Sequence, residues 1–227
     1  MLLPAMHRAR EMARAVQCLS NLRQCALAAQ DYTMTFNEYY PMAYYNKIDP
    51  PYIISYAWDF NTTRDWTTTP PVDTVEPGLL WQRGGDPAIQ QCPSFGSAHN
   101  WLADPFTGYN YNTSYIGMKR ILPQPRSARL SHVKDPVGTA LFGDGQYAGG
   151  ANKFMRSPWA SPSDEGFAGR CAGTQGFRHL GKTNVAFCDG HAQPLEKCYT
   201  DTYPSEQTSI APNTGFLAPD NSLYDLK

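Results

Sequence analysis

The sequence predicts an α+β fold, with one long N-terminal helix laid across a face of an antiparallel sheet that carries long loops. Three observations predict it. Residues 4 to about 34 are a run of good helix formers without Gly, opened by Pro4, which suits a first helical turn. Downstream, short β-favouring segments alternate with clusters of turn residues. The composition agrees: 18 Gly and 19 Pro in 227 residues, 13% aromatic and only 17% charged, describes a turn-rich chain and not a helical bundle.

The elements follow in order. In the helix Val16, Leu19, Leu22, Ala26 and Ala29 recur at helical spacing, with Cys18 and Cys25 flanking that face. The stretch from His7 to Arg14 is basic and weakly amphipathic, so the front of the helix reads as solvated and its rear half as packed. Next come an aromatic loop from Tyr39 to Tyr45, a strand from Tyr52 to Phe60 and a Thr/Pro-rich surface excursion from Thr62 to Pro77. Leu79-Leu80-Trp81 reads as a helical turn, and Tyr109–Met118 and Thr139–Asp144 as strands. Residues 146–176 are rich in Gly, Ser and Pro and read as a long insertion. Thr183–Cys188 is the best strand in the chain, and Ala192–Leu195 returns from it through Asp189-Gly190, the dipeptide of a tight primed hairpin turn. The parts are therefore a helix over 1–36, an α+β head over 37–198 and a polar tail over 199–227 that wraps the surface or frays.

Composition also limits function. A net charge of −1 removes bulk electrostatics as an argument for nucleic acid. No G-x-S-x-G, P-loop or H-E-x-x-H motif is present, and the chain reads as non-enzymatic. A Cys188 nucleophile with His191 or His179 as base is the weaker reading, because Cys188 ends an apolar run and suits a buried thiol or a disulfide. The six cysteines, at 18, 25, 92, 171, 188 and 198, contain no C-x2-C pair. Their even number in a loop-rich chain points to an oxidising compartment with one to three disulfides, free buried thiols being the alternative. Cys18 and Cys25 stand about 10.5 Å apart along a helix at ~1.5 Å per residue, too far to bond each other. A helix-to-domain link from Cys18 or Cys25 to Cys92 is expected, with Cys171, Cys188 and Cys198 supplying a second.

The chemistry-bearing residues gather near the last hairpin. Asp144 and Asp189 each precede a Gly at the end of a strand. Were those strand ends neighbours, His179, Asp189, His191 and Asp144 would bring imidazoles and carboxylates together. Carboxylates with carbonyls suit Ca2+, imidazoles another divalent metal. The competing reading needs no cofactor: Asp189 and Gly190 build the turn, and His179 hydrogen-bonds across to fasten it. The aromatic residues Tyr39, Tyr40, Tyr44, Tyr45, Trp58, Trp66, Trp81 and Trp101 either fill the core and loops or form a glycan or subunit surface.

Several motifs line up in one order. These are Leu2-Leu3-Pro4-Ala5 with Arg8-Ala9-Arg10-Glu11, then Cys18-Leu19-Ser20-Asn21-Leu22-Arg23-Gln24, Tyr39-Tyr40-Pro41, Cys92-Pro93-Ser94, Tyr109-Asn110-Tyr111-Asn112, and Asp135-Pro136 leading to Phe142-Gly143-Asp144. They end in His179, nine intervening residues and Asp189-Gly190. The chain so resembles the DUF1559 family of bacterial prepilin-type proteins with an H-x9-DG signature, similar to type IV pilins and type II secretion pseudopilins. The resemblance implies a pilin-like fold and an exported structural subunit of a filament or secretion apparatus. Such a subunit is anchored in the inner membrane before assembly and is then periplasmic or extracellular. Its partners would be copies of itself or other pilin-like subunits, with no nucleic acid. Met1-Leu2-Leu3-Pro4 reads as the last piece of the hydrophobic anchor, and Arg8, Arg10, Glu11 and Arg14 as a face for pairing between subunits. The alternative is a secreted or surface-tethered module for a ligand such as carbohydrate, on the same scaffold.

Overall fold

The computed structural model describes residues 2–96, 104–117, 126–161 and 169–227. Trp101 and Met118 lie outside them. Helix α1 spans Leu2–Thr35. It closes where Asn37 and Glu38 take positive φ and the Glu38 N–H reaches the Thr33 carbonyl at 2.9 Å. Cys18, Leu22, Cys25, Ala26 and Ala29 are fully buried, whereas Val16 is 68% exposed. The buried seam thus runs through the two cysteines and not beside them, because positions 18, 22, 25 and 29 share one face at 3.6 residues per turn. Among the described residues no helix is long and apolar enough to cross a membrane.

Strands β1 (Tyr44–Asp49), β2 (Tyr52–Ala57), β3 (Phe60–Asp65) and β4 (Val72–Pro77) form a separate antiparallel meander. The segment expected as a surface excursion, Thr62–Pro77, is therefore most of a β-hairpin. Its register pairs Thr62 with Val75 and Arg64 with Asp73, and Arg64 Nε and Nη2 each reach the Asp73 carboxylate at 2.8 Å. Its outer strands β1 and β4 are mostly exposed and its inner strands β2 and β3 mostly half-buried, so the sheet lacks the clear apolar alternation that reveals a strand with one buried face.

The main sheet is built from β5 (Tyr109–Asn112), β6 (Ala140–Asp144), β7 (Phe154–Met155), β9 (Thr183–Phe187) and β10 (Ala192–Leu195), in the order β10-β9-β6-β5-β7. All pairings are antiparallel except β5 with β7. Helix α1 lies over β9, β10 and β6 and encloses the larger core, where the Phe142 ring sits 5.0 Å from Tyr111 and 5.2 Å from Trp58. The expected strand Tyr109–Met118 ends at Asn112, because Thr113–Gly117 winds into a wide helical turn.

The opposite face holds a second core of Ala140, Met155, Val185, Phe187, Leu217 and Tyr224. The tail wraps and does not fray. Helix α2 (Pro204–Gln207) leads to β11 (Thr214–Gly215), which pairs with β8 (Gln175–Gly176). Asn112 Nδ2 then bridges the Ala140 and Tyr224 carbonyls at 2.8 and 2.9 Å. The described part of the 146–176 insertion is likewise structural. It carries β7, β8 and the buried Lys153, whose ammonium lies 2.8 Å from both Asp59 and Asp104.

The β9–β10 connection differs in one detail from a two-residue primed turn. The Gly190 N–H reaches the Phe187 carbonyl at 3.0 Å, Phe187 N–H takes the His191 carbonyl, and of the intervening residues only Gly190 has positive φ, at 91°. This is the three-residue loop in which a turn is followed by a left-handed Gly. Cys188 N–H to the Thr139 carbonyl and Asp189 N–H to the Pro136 carbonyl, both at 3.0 Å, hold the extra residue. Replacing Gly190 by Ala is expected to cost about 1–2 kcal/mol, the left-handed penalty for a side chain. Urea denaturation checks it, and an unchanged midpoint would contradict that conformation.

Candidate functional site

Antiparallel pairing decides where the chemistry lies. Strands β6 and β9 are neighbours, but they run antiparallel, with Gly143 paired to Val185 and Ala140 to Phe187. Asp144, at the end of β6, therefore stands beside the start of β9, and Asp189 lies beyond its other end. The expected set of His179, Asp189, His191 and Asp144 is split into two pairs at opposite ends of one strand. His179 does not fasten the hairpin turn; it meets Asp144.

Four segments converge on Asp144. Cys18 comes from the helix seam and Cys92 from the loop after the Pro87–Gln90 turn. Asp144 ends β6, and His179 belongs to a tight loop before β9, closed by the mutual His179–Lys182 backbone bonds and by left-handed Leu180 and Gly181. All four are buried, and one ligand atom from each lies within 4.8 Å of the others. Cys18 Sγ is 3.1 Å from Asp144 Oδ1, His179 Nε2 is 3.3 Å from Asp144 Oδ2, and Cys92 Sγ is 3.6 Å from His179 Nε2. The Asn184 N–H donates to Oδ2 at 2.7 Å and fixes the carboxylate.

Arg178 covers one side of this cluster. Its Nη2 reaches Asp144 Oδ1 at 3.0 Å and the Gly108 carbonyl, its Nε reaches Cys92 Sγ at 3.3 Å, and the guanidinium lies 4.8 Å over the Phe95 ring. Burial alone would raise the Asp144 carboxyl, but the Arg178 charge and the His179 hydrogen bond hold it below its ordinary value. Burial would also raise the Cys92 thiol, yet hydrogen bonds with Cys18 and His179 and the Arg178 charge bring it down to about 5. Cys18 goes the other way, pushed up by burial and then by Cys92 and Asp144. Burial disfavours a charged His179, but Asp144 and Cys92 raise it to about 9. Two sulfurs, a carboxylate and an imidazole nitrogen thus converge in a dry pocket, closed on one side by the Arg178 guanidinium.

The second pair is ordinary by comparison. Asp189 Oδ1 accepts from the His191 N–H at 3.0 Å and lies 2.6 Å from His191 Nδ1, while the His191 ring stacks on Phe187 at 4.5 Å. These contacts close the turn. Together with Gly190 they build the β9–β10 turn, while His179, expected to fasten it, lies at the other end of β9.

None of the six cysteines is in a disulfide. The expected bond from the helix to Cys92 is represented by adjacent thiols at Cys18, while Cys25 is buried in the helix seam with its thiol raised to about 12 by burial. Cys171 bonds the Glu206 carbonyl and Cys198 the Thr214 carbonyl, and Cys188 is pushed up by burial to about 12. No second bridge is present among these three.

The expected subunit-pairing face is divided. Arg8 and Arg10 are exposed, but Glu11 turns inward, with Oε1 2.5 Å from Arg14 of its own helix and Oε2 3.1 Å from the Ser94 hydroxyl. The aromatics divide too: Tyr40, Trp58 and Trp81 are core, Trp66 is exposed, and Tyr39 carries Arg129 over its ring.

Sequence reasoning placed His179 and Asp144 in a site but missed Cys18, Cys92 and Arg178 as their company. No spacing links these residues, which come from separate segments. The available signal was the helix seam, since a cysteine on that seam must face the sheet.

No curated protein and no solved structure matches the chain. Residues 7–103, which run from the solvated front of α1 through the meander to the loop bearing Cys92, match the model of the family described as "Protein of unknown function (DUF1559)", in support of the resemblance drawn from its motifs.

Proposed function

We propose that the chain is a non-enzymatic, exported, pilin-like structural subunit of a filament or secretion apparatus, held at the inner membrane before assembly and then displayed outside. One observation carries this reading. Residues 4–10 of α1 are all exposed, while the same helix becomes the lid of the core from Cys18 onward. A continuous helix whose front is unclaimed by its own body is suited to packing against other subunits. The front is not wholly polar: Met6, Met12 and Val16 are 61%, 55% and 68% exposed. Beside them runs a groove of about 400 Å3 lined in part by Arg8, Met12, Val16, Leu19, Leu180 and Pro194. In this reading a neighbouring copy's helix fills it.

The test is photo-crosslinking in cells making the protein from its natural gene, with a crosslinking residue at Met6 or Met12. A ladder at multiples of the subunit mass is expected, weakened at least several-fold by Val16→Glu. Crosslinks to unrelated proteins alone, or none, would overturn the reading. A secreted or surface-tethered module for a ligand such as carbohydrate is the second reading, favoured by Tyr52 and Trp66 exposed on the meander. Glycan-array binding lost in Trp66→Ala would support it.

A further inference from the structure

We propose that Cys18, Cys92, Asp144 and His179 form a structural zinc site that fastens the helix to the sheet. The argument begins with the atoms that face each other. Cys18 Sγ, Cys92 Sγ, an Asp144 oxygen and His179 Nε2 lie within 4.8 Å of one another, and all four residues are buried. Tetrahedral zinc, with ligand bonds of roughly 2.0–2.3 Å, sets its ligand atoms about 3.3–3.8 Å apart. The contacts from Cys18 Sγ to Asp144 Oδ1 at 3.1 Å, from His179 Nε2 to Asp144 Oδ2 at 3.3 Å and from Cys92 Sγ to His179 Nε2 at 3.6 Å lie close to that spacing, and the remaining pairs, within 4.8 Å, would have to draw in by up to about 1 Å.

Electron-rich atoms converge here at the expense of other partners. His179 Nδ1 is buried without a hydrogen-bond partner, while Nε2 points at a carboxylate and a sulfur. The proton on Nε2 is shared between that carboxylate and that sulfur, and a divalent ion bound by all four groups would take its place.

The donor set selects the metal. Two thiolates and an imidazole exclude Ca2+ and Mg2+, which take oxygen ligands, and favour zinc. Four protein ligands leave no open position, so the site is structural and not catalytic. Charge also balances: the two thiolates and the carboxylate are offset by the ion together with Arg178. That residue already contacts Cys92 and Asp144 and would orient both as an outer partner. Binding displaces the Cys18 thiol proton and any proton on His179, with no oxidation or reduction. The site joins α1, the loop after Gln90, the end of β6 and the loop before β9.

The test uses the full chain, reduced, stripped with chelator and titrated with Co2+ alone. One equivalent is expected to give intense tetrahedral visible bands and a thiolate-to-cobalt charge-transfer band, which Zn2+ then abolishes. Cys18→Ser and Cys92→Ser should lose the charge-transfer band, and Cys198→Ser should keep it. Zinc should raise the wild-type melting temperature, and chelator should reverse the rise. A pale octahedral cobalt spectrum from the wild-type protein overturns the proposal whether or not the variants fold. So does natively isolated protein with Cys18 and Cys92 joined in a disulfide and no zinc bound.

Discussion

Lys153→Met is expected to destabilise the protein by about 3–5 kcal/mol, the cost of leaving buried charges without their counter-ion. Lys153 is 2% exposed, and its ammonium contacts two carboxylates, those of Asp59 and Asp104, each at 2.8 Å. The triad joins three distant parts of the chain, since Asp59 lies between β2 and β3, Asp104 precedes β5, and Lys153 precedes β7. The Lys153 carbonyl also receives the Trp58 indole N–H at 2.9 Å, so the segment is held from both its side chain and its backbone. Urea denaturation of wild type and variant measures the loss, and a difference under 1 kcal/mol would refute the pairing. The pH dependence has a definite sign. Burial works against the Lys153 charge, but Asp59 and Asp104 hold it above its ordinary value of 10.5. Its stabilisation is fully present below that value and is lost as the pH rises through the folded value. The wild-type protein should therefore lose part of its advantage over Lys153→Met in that alkaline window and keep it at neutral pH.

Removing residues 199–227 is expected to abolish cooperative folding. Phe216, Leu217 and Tyr224 are 0%, 3% and 0% exposed, and Leu217 and Tyr224 cover the face of the main sheet opposite α1. Burial of such side chains contributes about 1.5–3 kcal/mol each, and together they rival the roughly 5–15 kcal/mol of a whole domain. Their loss also bares Ala140, Met155, Val185 and Phe187. The truncated chain should lack a sharp melting transition and should aggregate during size-exclusion chromatography. Tyr224→Phe is the mild counterpart. It keeps the packing but removes the acceptor for the Leu217 N–H at 2.7 Å, for a loss of about 1 kcal/mol. A cooperative melt of the truncated chain near the wild-type temperature would show that the tail is dispensable.

The two halves of the fold were unequally legible. Local signals carried the helix, the Leu79–Trp81 turn and the β9–β10 hairpin, because helix formers, apolar runs and Asp-Gly act within a few residues. The meander was less visible, since its outer strands are mostly exposed and offer little alternation to read. The tail looked polar because its anchors are few and widely spaced: Phe216, Leu217 and Tyr224 stand among Pro, Asn, Asp and Ser. The site was half legible. His179 and Asp144 declared their chemistry by residue type, but their meeting with Cys18 and Cys92 depends on strand direction. The choice between parallel and antiparallel pairing moves Asp144 from one end of β9 to the other, and no local pattern encodes it.

The helix is bound to a strand made long after it. Gln30 Nε2 holds the Cys188 carbonyl and Asn184 Nδ2 holds the Ala15 carbonyl, across separations of 158 and 169 residues. During synthesis α1 emerges early, with its buried seam and both of its thiols uncovered, and cannot dock until β9 follows. Contacts of such long range slow folding and prolong the exposure of apolar surface. The chain therefore has an interval in which α1 waits for β9. In that interval a chaperone, an oxidant or a neighbouring helix has its best access to the seam.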